Sequence, residues 1–484
     1  MGLVATNRND YDHPITPIGP LHLAAGLRAR GHEVRLFDCM FDHASAEESL
    51  LAWVAAARPD AVGISIRNVA SVLGQREHDL DRLAGLVKRL RAVMPRQIIL
   101  GGAGFSLVPR AIMDRLQVDL GIVGEADRSL PSLLERLGDE AAYAGIPGLV
   151  HRTPAGGWIE NPPDQDVDLD FIPTQSLADL DNRRYRKRGG NIGVYSRKGC
   201  AMQCTYCAEP CLNGATMRLR SPRLVVDEIE KVTKEAGYPF VGFADTLFNF
   251  PRDHAMELCR EIIRRRVKVR FCIEGNPVGQ DARSVDLLAE AGCIGVDFSV
   301  ESGSSRMLRA MRKGFTAEDA LRVAALYAER GISYAAGFLI GCPGEDLESV
   351  RESVRVAEAL ERPGVVYFGV GVRVFHQAEL ARQLGASRPH QGTPDAYGLS
   401  SYLSETFDAN CARELLACYR RHDVVLISHQ FNERTVRFVK RLSFLPRARP
   451  AWRAAAWLNH LERLRTLRRC PLYWDDRERA FRSV

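Results

Sequence analysis

The stretch Ser196-Arg197-Lys198-Gly199-Cys200-Ala201-Met202-Gln203-Cys204-Thr205-Tyr206-Cys207 sets three cysteines at a C-x3-C-x2-C spacing, with an aromatic residue before the last. Three thiolates on one short loop can hold three irons of a four-iron cluster and leave the fourth open to an outside ligand. An open iron is a place for chemistry; a fully ligated cluster mostly carries electrons. Structural zinc sites usually pair two C-x2-C units, or join one to a His pair, and no second such pair follows. Cys211 extends the run to C-x3-C-x2-C-x3-C, so a fourth ligand is conceivable. Pro210 stiffens the chain just before it, and we read Cys211 as lying outside the cluster.

The rest of the chain bounds the setting. At 484 residues, two or three domains are expected. Hydrophobic residues make up 46% and charged residues 26%, a globular balance, and no run of 18 apolar residues offers a spanning helix. The start Met1-Gly2-Leu3-Val4-Ala5-Thr6 fits a myristoylation pattern but reads as a first buried strand. Eight of the 12 cysteines are scattered outside the 200–211 run, so no disulfide framework is expected. Reduced thiols and an oxygen-sensitive cluster both point to the cytoplasm. The net charge of +6 is uneven: residues 431–484 hold 14 Lys+Arg against 5 Asp+Glu, so the remainder is slightly acidic.

Upstream of the cysteines, short apolar runs at 33–38, 61–66, 97–102 and 120–125 alternate with helical periodicity at about 19–30, 46–57, 74–94, 109–116 and 128–137. Apolar strands separated by helices give a doubly wound, Rossmann-like parallel sheet over residues 1–150. Ligands of such sheets lie at the carboxyl ends of the strands. Those ends carry Ser65, Arg67, Asn68, Gly101, Gly102, Gly124 and Glu125. Residues 151–187, rich in Pro and Asp, read as a connector.

Downstream, βα units fill 188–375. Strands are expected at 192–195, 240–244, 269–274, 295–300, 334–340 and 365–370, with helices between at 222–236, 252–266, 282–291, 316–330 and 346–361. Six strands give a partial (β/α)6 barrel, with chemistry at the C-terminal strand ends. Polar residues stand there in order: the cysteine loop, Asp245, Thr246 and Asn249, Glu274 and Asn276, Glu301 and Ser302, then Lys313, then Gly341. Residues 376–484 read as a mostly helical substrate or lid domain, with helices at 415–427, 431–442 and 452–467. Its arginines suit a solvated helix face; a lid over an anionic substrate and a dock for an acidic carrier protein are the sharper readings.

The cysteine motif resembles that of radical S-adenosylmethionine (SAM) enzymes, and residues 1–375 resemble the cobalamin-dependent members. The pieces that match cobalamin domains are Pro17-Ile18-Gly19-Pro20-Leu21, Gly63-Ile64-Ser65-Ile66-Arg67-Asn68, Gly101-Gly102-Ala103-Gly104-Phe105-Ser106 and Val123-Gly124-Glu125. The D-x-H-x-x-G motif that supplies a lower cobalt ligand in many cobalamin proteins is absent. The resemblance implies a 4Fe-4S cluster on Cys200, Cys204 and Cys207, with SAM on the open iron. It sets Tyr206 near the adenine, Asp245 at the SAM amino group, and Glu301 and Lys313 among the SAM contacts, with Glu274, Ser302 and Gly341 at the same strand ends.

In that family the most frequent reaction is methylation of an unactivated carbon through methylcobalamin and a 5′-deoxyadenosyl radical. Ring contraction, cyclisation or rearrangement without methyl transfer is the alternative; RNA modification is the more distant one, and no RNA-binding module is evident. The implied partners are a small-molecule substrate, anionic or carrier-bound on the sharper readings, and a flavodoxin- or ferredoxin-type electron donor. Neither a membrane nor nucleic acid is expected. The turn Phe375-His376-Gln377-Ala378 departs from the aromatic-Pro-Gly-Thr turn of relatives and is expected either to border the substrate or to be a drifted surface turn.

Overall fold

The computed structural model describes residues 1–7, 14–68, 80–94, 97–360, 364–385, 400–422, 425–427, 472–476 and 479–483. The N-terminal sheet is built from β1 (Gly2–Ala5), α1 (Ile18–Ala29), β2 (Arg35–Asp38), α2 (His43–Ala57), β3 (Ala61–Ser65), α3 (Leu80–Val93), β4 (Gln97–Gly101), α4 (Ala103–Leu107), α5 (Pro109–Leu116), β5 (Leu120–Ile122), α6 (Ser129–Glu135), β6 (Leu149–Arg152) and β7 (Trp158–Glu160). The strand order is β2-β1-β3-β4-β5-β6-β7. The first five run parallel and the last two antiparallel. The residue-150 boundary expected from sequence therefore falls inside β6, and this sheet continues to Glu160.

Alternation along each strand feeds two cores. Leu3, Ile99 and Leu120 pack with Leu21 and Leu27 of α1. Val4, Val62, Ile64 and Leu100 pack with Leu50 of α2, Leu83 of α3 and Ile112 of α5. Helices on both faces explain why the strands are apolar throughout rather than alternating. The order reverses between β1 and β3, the switch point where such sheets bind ligands.

The barrel follows as α7 (Asn182–Lys187), β8 (Ile192–Val194), β9 (Arg197–Lys198), α8 (Glu209–Asn213), β10 (Arg218–Leu219), α9 (Pro222–Ala236), β11 (Phe240–Phe243), α10 (Arg252–Arg264), β12 (Arg270–Gly275), α11 (Ala282–Ala291), β13 (Cys293–Glu301), α12 (Ser305–Ala310), α13 (Ala317–Glu329), β14 (Ser333–Ile340), α14 (Leu347–Ala359) and β15 (Val365–Val370). These six main strands lie in chain order, β8-β11-β12-β13-β14-β15, all parallel. The core on the α1 side of the first sheet runs unbroken into the barrel core, since Leu21 and Ile192 belong to one buried cluster with Val225 and Phe298. The two units thus share their hydrophobic interior.

Beyond them come β16 (Val372–Val374), α15 (Glu379–Leu384), β17 (Ser400–Tyr402), α16 (Ala409–Arg421), β18 (Val425–Ile427), β19 (Leu472–Asp475) and β20 (Ala480–Ser483). The helix read at 415–427 instead ends at Arg421. Val425–Ile427 is a strand that joins β15 as a seventh barrel strand. A short apolar run reads equally as helix or strand; the extended backbone of His422 turns the chain into the sheet. The helices read at 431–442 and 452–467 lie outside the described residues, as do 74–79 of the third helical stretch.

Candidate active site

Asp245 anchors the cysteine loop. It is 1% exposed at the end of β11. Its Oδ1 accepts the Ser196 and Arg197 backbone N–H groups at 2.7 and 3.2 Å, and its Oδ2 accepts the Ser196 hydroxyl at 2.6 Å. The buried Arg197 guanidinium lies 3.6 Å from Oδ2 and donates to His254 Nδ1 at 3.0 Å, while His254 Nε2 donates to the Arg220 carbonyl at 2.7 Å. Burial pushes the Asp245 carboxyl above its usual range, against the pull of Arg197. Both oxygens are engaged in fixing the strand that leads into the loop.

That strand, β9, pairs antiparallel with β10, and Gly199 turns the chain at φ +81°. A Cβ there would sit 2.1 Å from the Thr216 carbonyl oxygen, so only glycine fits. Thr205 N–H donates to the Met311 carbonyl at 3.3 Å, and Leu380 N–H donates to the Thr205 carbonyl at 2.7 Å. The loop is therefore held on three sides. Cys200 is buried, while Cys204 and Cys207 are half-buried. Burial, then the neighbouring thiols, pushes Cys207 up to about 12; burial raises Cys200 as well. Among the described residues no three Cys, His, Asp or Glu groups converge on a single ion. A four-iron cluster asks something different, because its cysteines sit on separate irons. Cys211 turns away, its thiol 3.4 Å from the Gln377 carbonyl oxygen. Gln377 also donates to the Leu107 carbonyl at 2.9 Å. The 375–378 turn thus ties α8 to the N-terminal unit.

Beside the loop stands a second group. Tyr206 OH donates to Glu301 Oε1 at 2.8 Å, and Lys313 Nζ lies 3.0 Å from the Tyr206 oxygen and 3.2 Å from Glu301 Oε1. Burial opposes the Lys313 charge, but Glu301 and the Cys204 thiol outweigh it, so its pKa lies above the ordinary value. Glu301 holds φ +66° at a shift in β13–β14 register. A non-glycine residue in that region is uncommon and costs of order 1 kcal/mol or more, the kind of strain that gathers at functional sites. Ser302 belongs elsewhere: it is buried, with its hydroxyl on Ser353 at 3.1 Å and on the Ser304 N–H at 3.1 Å. Gly341 (φ +103°) turns the chain at the end of β14, where a Cβ would meet Leu403 at 2.4 Å.

Glu274 lies in register with Asp297 on the neighbouring strand, and both face the barrel lumen. Enclosure by protein, then the Asp297 charge, pushes Glu274 well above its ordinary range, and Arg67 acts against both. Asp297 was not singled out from sequence; its alternate position along an apolar strand was the available signal.

A cavity of about 350 Å3 opens between the two sheets. Ser65, Gly101, Gly102, Gly124 and Glu125 line one side; Tyr195, Lys198, Glu209 and Thr246 line the other. The glycines divide by role. A Cβ at Gly101 would meet only the Ile122 carbonyl oxygen at 3.7 Å, whereas one at Gly102 would meet the Ile66 carbonyl oxygen at 2.5 Å. Gly101 leaves room for a ligand; Gly102 makes room for the chain. Arg67 and Asn68 lie outside the lining. Glu125 pairs with Arg218 and with Lys198 at 3.6 Å, bridging the units.

The family profile of the B12 binding domain matches residues 6–134, and that of the radical SAM superfamily matches residues 194–357. The chain belongs to the cobalamin-dependent radical SAM enzymes. Its cofactors are those of the family: a 4Fe-4S cluster, SAM and cobalamin. The tryptophan 2-C-methyltransferase of Streptomyces laurentii is 27% identical over 441 residues, covering 78% of this chain and 73% of that protein. The cytidylyl-2-hydroxyethylphosphonate methyltransferase of Streptomyces wedmorensis is 24% identical over 409 residues, covering 72% and 74%. The structure of the radical SAM methyltransferase TsrM from Kitasatospora setae, with cobalamin and a 4Fe-4S cluster bound, superposes with a TM-score of 0.82 at 25% identity over 96% of this chain and 99% of that one. The cobalamin-dependent SAM radical enzyme OxsB shares the fold at a TM-score of 0.70 and 16% identity, over 92% of this chain and 71% of that one.

The residues of this radical SAM enzyme fit the absent groups. The cysteine loop offers three thiols, and the open space beside Gly101 leaves the strand end of the B12 binding unit clear for a bulky ligand. Among the described residues no helix is long and apolar enough to cross a membrane.

Proposed function

We propose that this enzyme methylates an unactivated carbon of a small-molecule intermediate. The observation that carries the reading is the position of the cavity. It is walled on one side by the strand ends of the B12 binding unit and on the other by the segment leading into the cysteine loop. A cobalamin placed there lies beside the segment that leads into the cluster loop, and such nearness is what a transfer between two cofactors requires. When bound, cobalamin supplies a transferable methyl group, and SAM on the cluster supplies both that methyl and a hydrogen-abstracting radical.

The chain's own groups then have distinct work. Cys200, Cys204 and Cys207 hold the cluster, and Asp245 fixes the strand that presents them. Lys313 offers a cation to the SAM carboxylate, and Glu301 a carboxylate to its ammonium or ribose hydroxyls. The present Glu301–Lys313 contact of 3.2 Å keeps both charges satisfied until SAM separates them. Ser65 and Gly101 present backbone and hydroxyl to cobalamin. Glu274 and Asp297 line the lumen where the substrate enters. That wall is acidic, so an anionic substrate draws no support from it; that idea rests on the basic segment 431–471, which lies outside the described residues. The electron donor is of flavodoxin or ferredoxin type.

Anaerobic reconstitution with iron, sulfide and cobalamin, followed by SAM and a reductant, tests the reading. Both S-adenosylhomocysteine and 5′-deoxyadenosine should form. 5′-Deoxyadenosine alone would move the assignment to rearrangement, and neither product would sink it. Cys204→Ala should abolish cluster iron, whereas Cys211→Ala should keep it.

A further inference from the structure

Glu274 is enclosed by the barrel wall and yet exposed. Together the two facts say what it is exposed to. On the same strand, Phe271 and Ile273 pack with Leu258 of α10 and Leu288 of α11 in the outer layer. Side chains alternate along a strand, so Glu274 points the other way, into the hollow of the barrel. Asp297 is its register partner on β13 and is exposed in the same manner, while Val296 and Phe298 on either side of it are buried. Further round the wall the inward positions are small. Ala335 pairs with Asp297, and Gly337 follows two residues on. A Cβ on Gly337 would meet only the Phe298 carbonyl oxygen, at 4.0 Å. The space beside the two carboxyls is open rather than packed.

The Glu274 carboxyl also differs from the other enclosed acids. Asp245, Glu228 and Glu345 each accept hydrogen bonds from fixed donors. Among the described residues no donor and no ion pair holds Glu274. The charges that act on it come from three directions: Asp297 on β13 and Glu209 on α8, both of its own sign, and Arg67 after β3, which opposes them. Enclosure and the repulsion of Asp297 outweigh Arg67. A carboxyl kept inside a protein with no donor is uncommon and carries a cost. This one is aimed at an open hollow, so a bound molecule can supply what the fold does not.

We propose that Glu274 is a substrate-recognition residue that takes a cationic nitrogen, such as a protonated amine, of the molecule to be methylated, with Asp297 beside it. A cation there provides the missing donor and screens the two carboxyls from each other. An anion adds to the repulsion, and a neutral group leaves it in place. Held by its nitrogen at β12 and β13, the substrate presents its remaining skeleton toward the strand ends, where the cysteine loop and the B12 binding unit meet. The inference rests on the barrel as the place of the substrate in the proposed methylation.

The test reads binding without turnover, so its failure and a failure of the methylation assay are separate results. Benzylamine, benzyl alcohol and benzoate are titrated against the full chain reconstituted with iron, sulfide and cobalamin, with ligand-observed magnetic resonance as the readout. The three probes share a ring and differ in charge. Benzylamine should bind at least about tenfold more tightly than the other two. Glu274→Gln keeps the volume and loses the charge, and Asp297→Asn does the same one strand away; iron bound per chain verifies that each variant is folded. The preference should fall to within about twofold in Glu274→Gln and shrink in Asp297→Asn. Equal affinity of the three probes for the parent, no binding of benzylamine, or an undiminished preference in Glu274→Gln would overturn the inference. If Glu274→Gln fails to fold, the probe series on the parent and on Asp297→Asn decides in the same way.

Discussion

Single residues show how far a position's chemistry depends on what folds around it. Glu345 is fully enclosed below the end of β14, where its Oε1 accepts the Ser349 hydroxyl at 2.5 Å and its Oε2 accepts the Gly341 N–H at 3.2 Å. Burial raises its carboxyl to about 7. The folded chain therefore keeps a proton that the unfolded chain releases near its ordinary pKa. Stability from this group is complete at low pH and is lost as pH rises through about 4.5 to 7, by roughly 3 kcal/mol. Denaturant midpoints of the parent should fall between pH 5 and 8 relative to Glu345→Gln, whose neutral amide does not titrate; parallel curves would contradict the assignment. Asp245, Ser302 and Glu301 teach the same lesson in another form. All three are polar strand-end residues and look alike in the sequence. Only tertiary distance shows that Asp245 serves Arg197, that Ser302 serves a turn, and that Glu301 faces Tyr206 and Lys313.

At the level of elements, periodicity is legible where an element buries one consistent face. Five of the seven strands of the first sheet and six of the barrel form where apolar runs place them, and α9 and α11 keep their expected bounds. What escaped was set by partners remote in sequence. β18 is three residues long and is a strand because β15 accepts it. The β9–β10 pairing depends on a glycine whose neighbour, Thr216, lies on the returning strand segment. Gly199→Ala should therefore splay this hairpin. A methyl group 2.1 Å from a carbonyl oxygen, at a φ that disfavours any side chain, forces the backbone to move. Iron bound per chain after reconstitution should drop to a minor fraction, while far-ultraviolet circular dichroism stays near that of the parent. Full iron loading would show that the turn tolerates the shift.

In the whole molecule, the shared interior matters more than either unit alone. Glu228 is a buried anion between Arg220 of the barrel and His22 of α1. Burial alone would raise its carboxyl, but its contacts with His22 and Arg220 outweigh it and hold it below the ordinary range. Glu228→Ala would leave the Arg220 guanidinium buried without a counter-charge, a loss of about 3–5 kcal/mol. Calorimetry should show a lower transition, and the two units should begin to unfold separately; a single unshifted transition would refute the linkage. The two-unit plan was legible in the sequence because each unit has its own rhythm of strands and helices. The joint between them was not, since Glu228, His22 and Tyr195 are common residue types on ordinary elements, without any motif.

The bracing of the cysteine loop also has a consequence in time. Its contacts come from Asp245, Met311 and Leu380, far later in the chain than the cysteines themselves. A ribosome releases those residues after the cysteines, so a nascent chain that has exposed all three cysteines still lacks the frame that aims them. Iron–sulfur delivery to this protein accordingly waits until synthesis has passed residue 380, and the thiols must stay reduced and unclaimed until then.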